Sequence, residues 1–344
     1  MKIDSEYMTE YIKKIMKTDS PAGDTGEAVS EVKKEFEKLG LKCTETNKGA
    51  VIATVKGKND NVHKIISAHI DTLGLMVKEI KSNGRLKLNQ LGGFSWPSVE
   101  GENVRIKTSE GKIYTGTVLP DMASVHIFGD IPRTAVRTEE NMEVRLDENV
   151  SNADEVKKLG IEVGDFVSAE TRTIVTENGY IKSRYLDDKA AVAIVMGICR
   201  YIKENSIIPA YTTHFYISNY EEVGHGVSVI TDQTDEFIAI DIGTVGKGQN
   251  STEFAVSIAS RDAFGPYDFR FRKKLTDICQ KNNIDYRVDM YNRYGSDASK
   301  VAQTGKDVNY ALVGPGVDAT HHYERTHIKS LENTAKLLIK YIEG

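Results

Sequence analysis

The chain has 344 residues, 40% of them hydrophobic and 28% charged, with a formal net charge of −5. This is ordinary globular composition on a chain longer than one core usually supports, so two domains are expected. The net negative charge gives no general attraction to nucleic acid or to an anionic membrane, so neither is expected as a partner. No apolar stretch approaches a membrane span, and the opening MKIDSEYMTEYIKK is amphipathic, without the apolar centre of a signal peptide. Cys43, Cys199 and Cys279 are odd in number and far apart, which argues against a disulfide framework or a thiolate metal site. A cytoplasmic location is expected.

Residues 4–17 and 25–39 read as two helices. In the second, Val29, Val32, Phe36 and Leu39 recur at helical spacing and Gly40 stands at the C-terminal cap. The loop between them reads Ser20-Pro21-Ala22-Gly23-Asp24-Thr25-Gly26. Residues 50–55 and 64–68 read as strands, the second running into His69-Ile70-Asp71. From about Gly74 to Gly179 helical periodicity fades. Short β-prone runs alternate there with turn signals such as Ser82-Asn83-Gly84 and Glu177-Asn178-Gly179, the texture of a small barrel or sandwich. The one clear helical interruption is 153–159. After Ser183 helix and strand alternate again. Leu186-Asp187-Asp188-Lys189 opens an apolar helix over 190–202, and TTHFYIS at 212–218 reads as a buried strand. Residues 237–240 form another, ending in Asp241; a helix follows over 267–282. A strand over 309–313 leads to Asp318-Ala319-Thr320-His321-His322, and 331–342 is a closing helix. Two α/β segments flanking a β-rich insert is the simplest organisation.

After the 212–218 strand stands Glu221-Glu222. Alternate strand residues face opposite ways, so two adjacent carboxylates serve one site only if the backbone leaves strand geometry there. Gly224 and Gly226 permit that. One carboxylate could then hold a metal while its neighbour takes a proton from water. Four other polar clusters also follow an apolar run or open a helix: His69-Ile70-Asp71, Asp187-Asp188, Asp241 and His321-His322. Singly each has a plain structural explanation, as a core histidine, a turn or helix cap, or a surface loop. Together they can converge, because sites in open α/β sheets form at the carboxyl ends of strands. Histidine with carboxylates and no cysteine is the donor set of a catalytic zinc site, and the surplus of carboxylates suggests two metals.

Ala68-His69-Ile70-Asp71, Leu186-Asp187-Asp188-Lys189, Glu221-Glu222-Val223-Gly224 and Ile240-Asp241, in that order, resemble the dinuclear-metal aminopeptidases of the tetrahedral (TET) type. That group includes glutamyl, leucyl and deblocking aminopeptidases and relatives carrying an endoglucanase label. The resemblance takes in the Pro21-Ala22-Gly23 loop, the insert, and Gly295-Ser296-Asp297-Ala298. It departs from the family at Thr72-Leu73-Gly74, where an acidic residue is usual, and at the late histidine, which usually sits in a His-Ser-Pro context. The implied fold is α/β, a mixed-sheet, three-layer metallopeptidase domain (1–73 and 180–344) with an inserted β-barrel-like dimerisation domain (74–179). The resemblance implies two divalent metal ions per subunit, zinc or cobalt. His69 and Asp241 would hold one, Glu222 and a late histidine the other, with Asp187 bridging. Glu221 would be the general base and Asp71 would orient His69, while Asp188 would shape the peptide bond behind it. His321 aligns the following acidic residue best; His322 and His327 are the alternatives. His126, in the insert, could reach a neighbouring subunit's site. The implied reaction removes N-terminal residues from short peptides, in a homo-oligomer, a dodecamer built from dimers. The rivals are an amidohydrolase or carboxypeptidase on the same two-metal core and, with less support, an endoglucanase.

Overall fold

Four parallel strands form the middle of a large mixed sheet in the order Tyr211–Ser218, Asn59–His69, Thr234–Ile240 and Asn309–Asp318. Val51–Val55 lies antiparallel on the outer side of the first. The computed structural model describes all of residues 1–344. By chain contacts the molecule divides into two units, Met1–Asp71 with Arg172–Gly344, and Thr72–Thr171.

The inner parts of the parallel strands, such as Ile65–Ala68 and Phe237–Ile240, are largely apolar because both faces of the sheet there are covered. Side-chain alternation divides them cleanly. Ile66, Ala68, Phe215, Ile217, Ile238, Ile240, Ala311 and Val313 enter one core, shared with the helices Ser5–Ile15, Gly26–Lys38, Leu186–Glu204 and Ile328–Glu343. Their neighbours Ile65, Tyr216, Phe237, Ala239 and Leu312 enter a second, which includes Ala298 and Val301 of the short helix Asp297–Val301. The result is three layers, with the sheet in the middle. Leu186–Glu204 is buried all round along most of its length, as a helix apolar on every face must be.

Strand ends differ from the sequence reading where polarity masks them. The strand expected over 64–68 begins at Asn59, in a polar, exposed stretch, and its last residue is His69 itself. Val256–Asp262 and Glu324–His327 are strands without a clear alternating signature, whereas Tyr286–Met290 alternates apolar and polar residues over only five positions.

In the second unit, strands Gly74–Ile80, Leu86–Leu91, Met142–Leu146, Ile113–Pro120, Asn103–Lys107 and Phe166–Ala169 close into a six-stranded barrel. Leu75, Val77, Leu88, Ile106, Val144 and Val167 fill it. Trp96 is buried in that core and meets the half-buried Phe94 edge-on at 6.1 Å. Beyond the expected helix, seen at Ala153–Lys158, two four-residue helices occur, Val125–Phe128 and Ile131–Thr134. Neither is long enough to show a periodicity.

Candidate metal centre

His69 ends its strand deep in the first unit, and its orientation is determined by one bond. Nδ1 lies 2.9 Å from the Asp71 carbonyl oxygen, which can only accept, so Nδ1–H is the donor. In the neutral ring this leaves Nε2 with a free lone pair, the usual arrangement of a ligating histidine. Nε2 is buried without a hydrogen-bond partner, 3.3 Å from Asp187 Oδ1 and 3.7 Å from Glu221 Oε2. Ser20 Oγ donates to the Ile70 carbonyl at 2.8 Å, so the loop before the second helix braces this strand end.

The Asp71 carboxylate has a different task from its carbonyl. At 3.6 Å from His69 Nδ1 it is beyond hydrogen-bond distance, and it accepts instead from the amides of Glu221 at 3.0 Å and Glu222 at 3.1 Å. Tyr220, at φ 72°, turns the chain out of the strand, and a single 3-10 turn carries the two glutamates to Gly224. The backbone thus leaves strand geometry where adjacent carboxylates require it. Non-glycine residues in this conformation are strained, and Tyr185 (φ 64°) and His321 (φ 60°) share it at two other turns of the site.

Glu324 mirrors Asp71. Its carboxylate accepts from the amide of Asp187 at 3.1 Å and that of His321 at 3.0 Å, joining the start of the buried helix to the late histidine. Asp187 and Asp188 have non-helical dihedrals, and the peptide bond between them is cis. Asp188 accepts from the His69 amide at 3.0 Å through Oδ2, while its Oδ1 has no partner. Asp241 follows the Thr234–Ile240 strand and passes hard against Gly314, where a Cβ would lie 1.5 Å from the Asp241 carbonyl oxygen. Only glycine admits that approach.

These turns bring the predicted residues together as two overlapping groups: His69, Asp187 and Asp241, and Asp187, Glu222 and His321. Within each group one donor atom per residue lies within 4.8 Å of the others. His321 Nε2 is 3.4 Å from Asp187 Oδ2 and 3.6 Å from Glu222 Oε2. Glu221 belongs to neither group, although it faces His69.

Carboxylates crowd both groups, and cations would offset their repulsion. Burial pushes Glu221, Glu222 and Asp188 well above the ordinary carboxylate range, reinforced by neighbouring carboxylates. Burial and the charge of Asp187 raise Asp241 to about 7 and Glu324 to about 8. Asp187 alone moves down: burial opposes this, but its contacts with His321 and His69 prevail. Glu222 Oε1, like His69 Nε2, is buried without a partner. Orphaned acceptors are costly in a dry site, and divalent cations between the two groups would satisfy them. The residues present fit such ions.

The other histidines lie elsewhere. His63 and His214 bond to one another at 2.9 Å. His225 stacks on Tyr220, and His126 is exposed on its short helix in the barrel unit. His322 Nδ1 accepts the neighbouring Tyr323 amide, and His327 bonds the Asn178 carbonyl. Sequence reading gave no site role to Asp297, which is buried, accepts from Ser218 Oγ and from the Val227 amide, and is raised by burial to about 6. Gly226 makes room for it: a Cβ there would lie 2.4 Å from Asp297 Oδ1. Glu324 was legible only as the acidic residue three places after His321.

The three-layer α/β fold gathers imidazole and carboxylate donors at its strand ends, and the family match places the chain among the peptidases. The family model described as M42 glutamyl aminopeptidase matches residues 49–337, and the chain belongs to that family. It is 46% identical to the Bacillus subtilis (strain 168) protein named "Putative aminopeptidase YhfE", over 97% of both chains. Among solved structures it is similar to a TET aminopeptidase from the marine sediment archaeon Thaumarchaeota archaeon SCGC AB-539-E09, with TM-score 0.89 and 20% identity over 98% of this chain and 96% of that one. It is also similar to the Pyrococcus horikoshii TET1 peptidase, described as assembling into a tetrahedron or a large octahedral shell, with TM-score 0.83 and 19% identity over 97% and 99% of the two chains.

Proposed function

We propose that the chain is a metal-dependent aminopeptidase that removes N-terminal residues from short peptides. The observation that carries this reading is the pair of overlapping donor groups sharing Asp187, with Glu222 in one of them and Glu221 in neither. His69 and Asp241 would hold one divalent ion, Glu222 and His321 the other, and Asp187 would bridge; zinc and cobalt both suit nitrogen and oxygen donors. Bound there, the ions would polarise the scissile carbonyl and lower the pKa of water. Glu221, raised by burial, is suited to take the proton of the attacking water and to return it to the leaving amine nitrogen. Asp71 fixes both glutamate amides, and its carbonyl fixes the His69 ring. Burial of His69, Asp71, Asp187 and Asp241 limits competing water on that side of the site.

Assembly belongs to the same proposal. The barrel unit exposes Met122, Val125, Ile127, Ile131 and Val136 within fifteen residues, an apolar stretch suited to contact with a second copy. A dimer through this insert, built up to a dodecamer, is the inferred state. No helix is long and apolar enough to cross a membrane, in keeping with the inferred cytoplasmic location.

A panel of aminoacyl chromogenic substrates, assayed after chelation and after reconstitution with Zn, Co or Mn, tests the reading. Hydrolysis should vanish on chelation, return with metal, and be abolished by acetylating the substrate's amine. Cleavage of amine-blocked or C-terminal substrates instead would point to an amidohydrolase or carboxypeptidase on the same core. Activity unaffected by chelation would overturn metal dependence.

A further inference from the structure

A cavity of about 430 Å³ opens beside the second donor group, with Asp187 and His321 in its wall. Arg293 is the only lysine or arginine lining it, and Asp187, shared by both donor groups, is the only carboxylate. Asn292 and Gln249 supply neutral hydrogen-bonding groups around it. The Arg293 side chain is exposed and has no ion-pair partner, in contrast to Arg325, which pairs with Glu253, and Arg137, which pairs with Glu100.

The turn that carries Arg293 is held at both ends. The Tyr291 amide donates to the Arg261 carbonyl at 3.0 Å, and the Tyr294 carbonyl accepts from the Ala263 amide at 2.9 Å. Arg261 Nη1 donates to Asn292 Oδ1 at 3.0 Å, and the Tyr291 hydroxyl lies 2.8 Å from Ser251 Oγ. A free guanidinium on a fixed turn at a cavity wall presents a planar fork matched to a carboxylate.

We propose that Arg293 binds a substrate carboxylate, making it a specificity-determining residue for acidic or very short substrates. The inference rests on the aminopeptidase reading, which places the scissile bond at the donor groups and some other part of the peptide in the cavity. The carboxylate has two possible sources. It is either the side chain of an N-terminal glutamate or aspartate, or the C-terminus of a dipeptide.

Both sources are tested on the metal-loaded protein, comparing wild type with Arg293→Gln and Arg293→Lys. Wild type should favour glutamyl over glutaminyl p-nitroanilide, or Leu-Gly over Leu-Gly amide, in kcat/KM. Arg293→Gln should lower the affected ratio by about 10- to 100-fold, the worth of a charge-assisted hydrogen bond, and Arg293→Lys should restore part of it. The first ratio identifies the side chain as the source and the second identifies the C-terminus. Neither ratio moving in Arg293→Gln overturns the inference while leaving the aminopeptidase reading intact. Calorimetry supplies a readout that needs no turnover, through the binding of L-glutamate against L-glutamine and of Leu-Gly against Leu-Gly amide. A carboxylate preference lost in Arg293→Gln upholds the inference even if no substrate is cleaved, in which case the aminopeptidase reading alone falls. Equal binding of each pair, by wild type and variant alike, would overturn the inference.

Discussion

Glu221 and Glu222 are chain neighbours of the same residue type, and their surroundings separate them. Glu222 shares a donor group with Asp187 and His321, while Glu221 faces His69 from outside both groups. Glu221→Gln should therefore leave metal content near wild type while activity falls by roughly two to four orders of magnitude, the usual worth of a general base. Glu222→Gln should lower metal content as well, and both effects are read by elemental analysis beside a chromogenic assay. If Glu221→Gln kept most of its activity, the division of roles would be wrong. The same reasoning separates the late histidines. His321→Ala should weaken metal binding in titrations far more than His322→Ala, because only His321 lies by Asp187 and Glu222. The reverse order would move the ligand by one position. Most of these residues were legible in the sequence because each directly follows an apolar strand or opens a helix. Glu324 was legible only as the acidic residue after His321 and Asp297 only as part of a family-like motif; their roles were not, since their work is to receive backbone amides and a hydroxyl that only the folded chain brings near.

The parallel strands that carry the site are tied together at their opposite ends by a charged cluster. Glu236 accepts from Lys274 Nζ at 2.9 Å and from the Tyr341 hydroxyl at 2.7 Å, and pairs with Lys64 at 2.9 Å, linking two strands to two helices. Burial would raise the Glu236 carboxyl, but Lys64, Tyr341 and Lys274 outweigh it and hold it below its usual value. A carboxyl lowered on folding stabilises the fold above its unfolded pKa, about 4.3, and that stabilisation is lost as pH falls through the lowered folded value. Glu236→Ala should cost about 2 kcal/mol in urea unfolding near pH 7, because it leaves the buried Tyr341 hydroxyl unpaired and takes from the buried Lys64 one of its two carboxylates, Asp235 being the other. The gap between variant and wild type should narrow below about pH 4. A gap that stayed constant with pH would assign the loss to packing alone. Patterning anticipated the central elements, since apolar runs and helical spacing are local signals. It missed Val256–Asp262, which lies between Tyr286–Met290 and Asn309–Asp318, and Glu324–His327, which pairs along its length with Tyr180–Ser183, because these partners are distant in the chain.

At the scale of the whole molecule, the barrel closes on its own apolar interior and supplies no member of either donor group. Its exposed apolar stretch at Met122–Val136 is the surface assigned to self-association. Replacing Ile127 and Val136, the two most exposed of its side chains, with aspartate should reduce the assembly seen by light scattering after size exclusion, without lowering the melting temperature of the subunit. A wild-type protein that stayed monomeric at micromolar concentration with metal bound would remove the assembly from the account and leave the site chemistry standing. The change of texture after Asp71 marked this insert in the sequence, whereas its two short helices lack the length to leave a pattern.

The central claim is that two divalent ions share Asp187. Anomalous diffraction at the zinc edge, from crystals of the reconstituted protein, tests it directly. Two peaks per chain are predicted, roughly 3.5–4 Å apart, one beside His69 and Asp241, the other beside Glu222 and His321, and both in contact with Asp187. A single peak, or peaks away from Asp187 with no density between the two groups, would contradict the account.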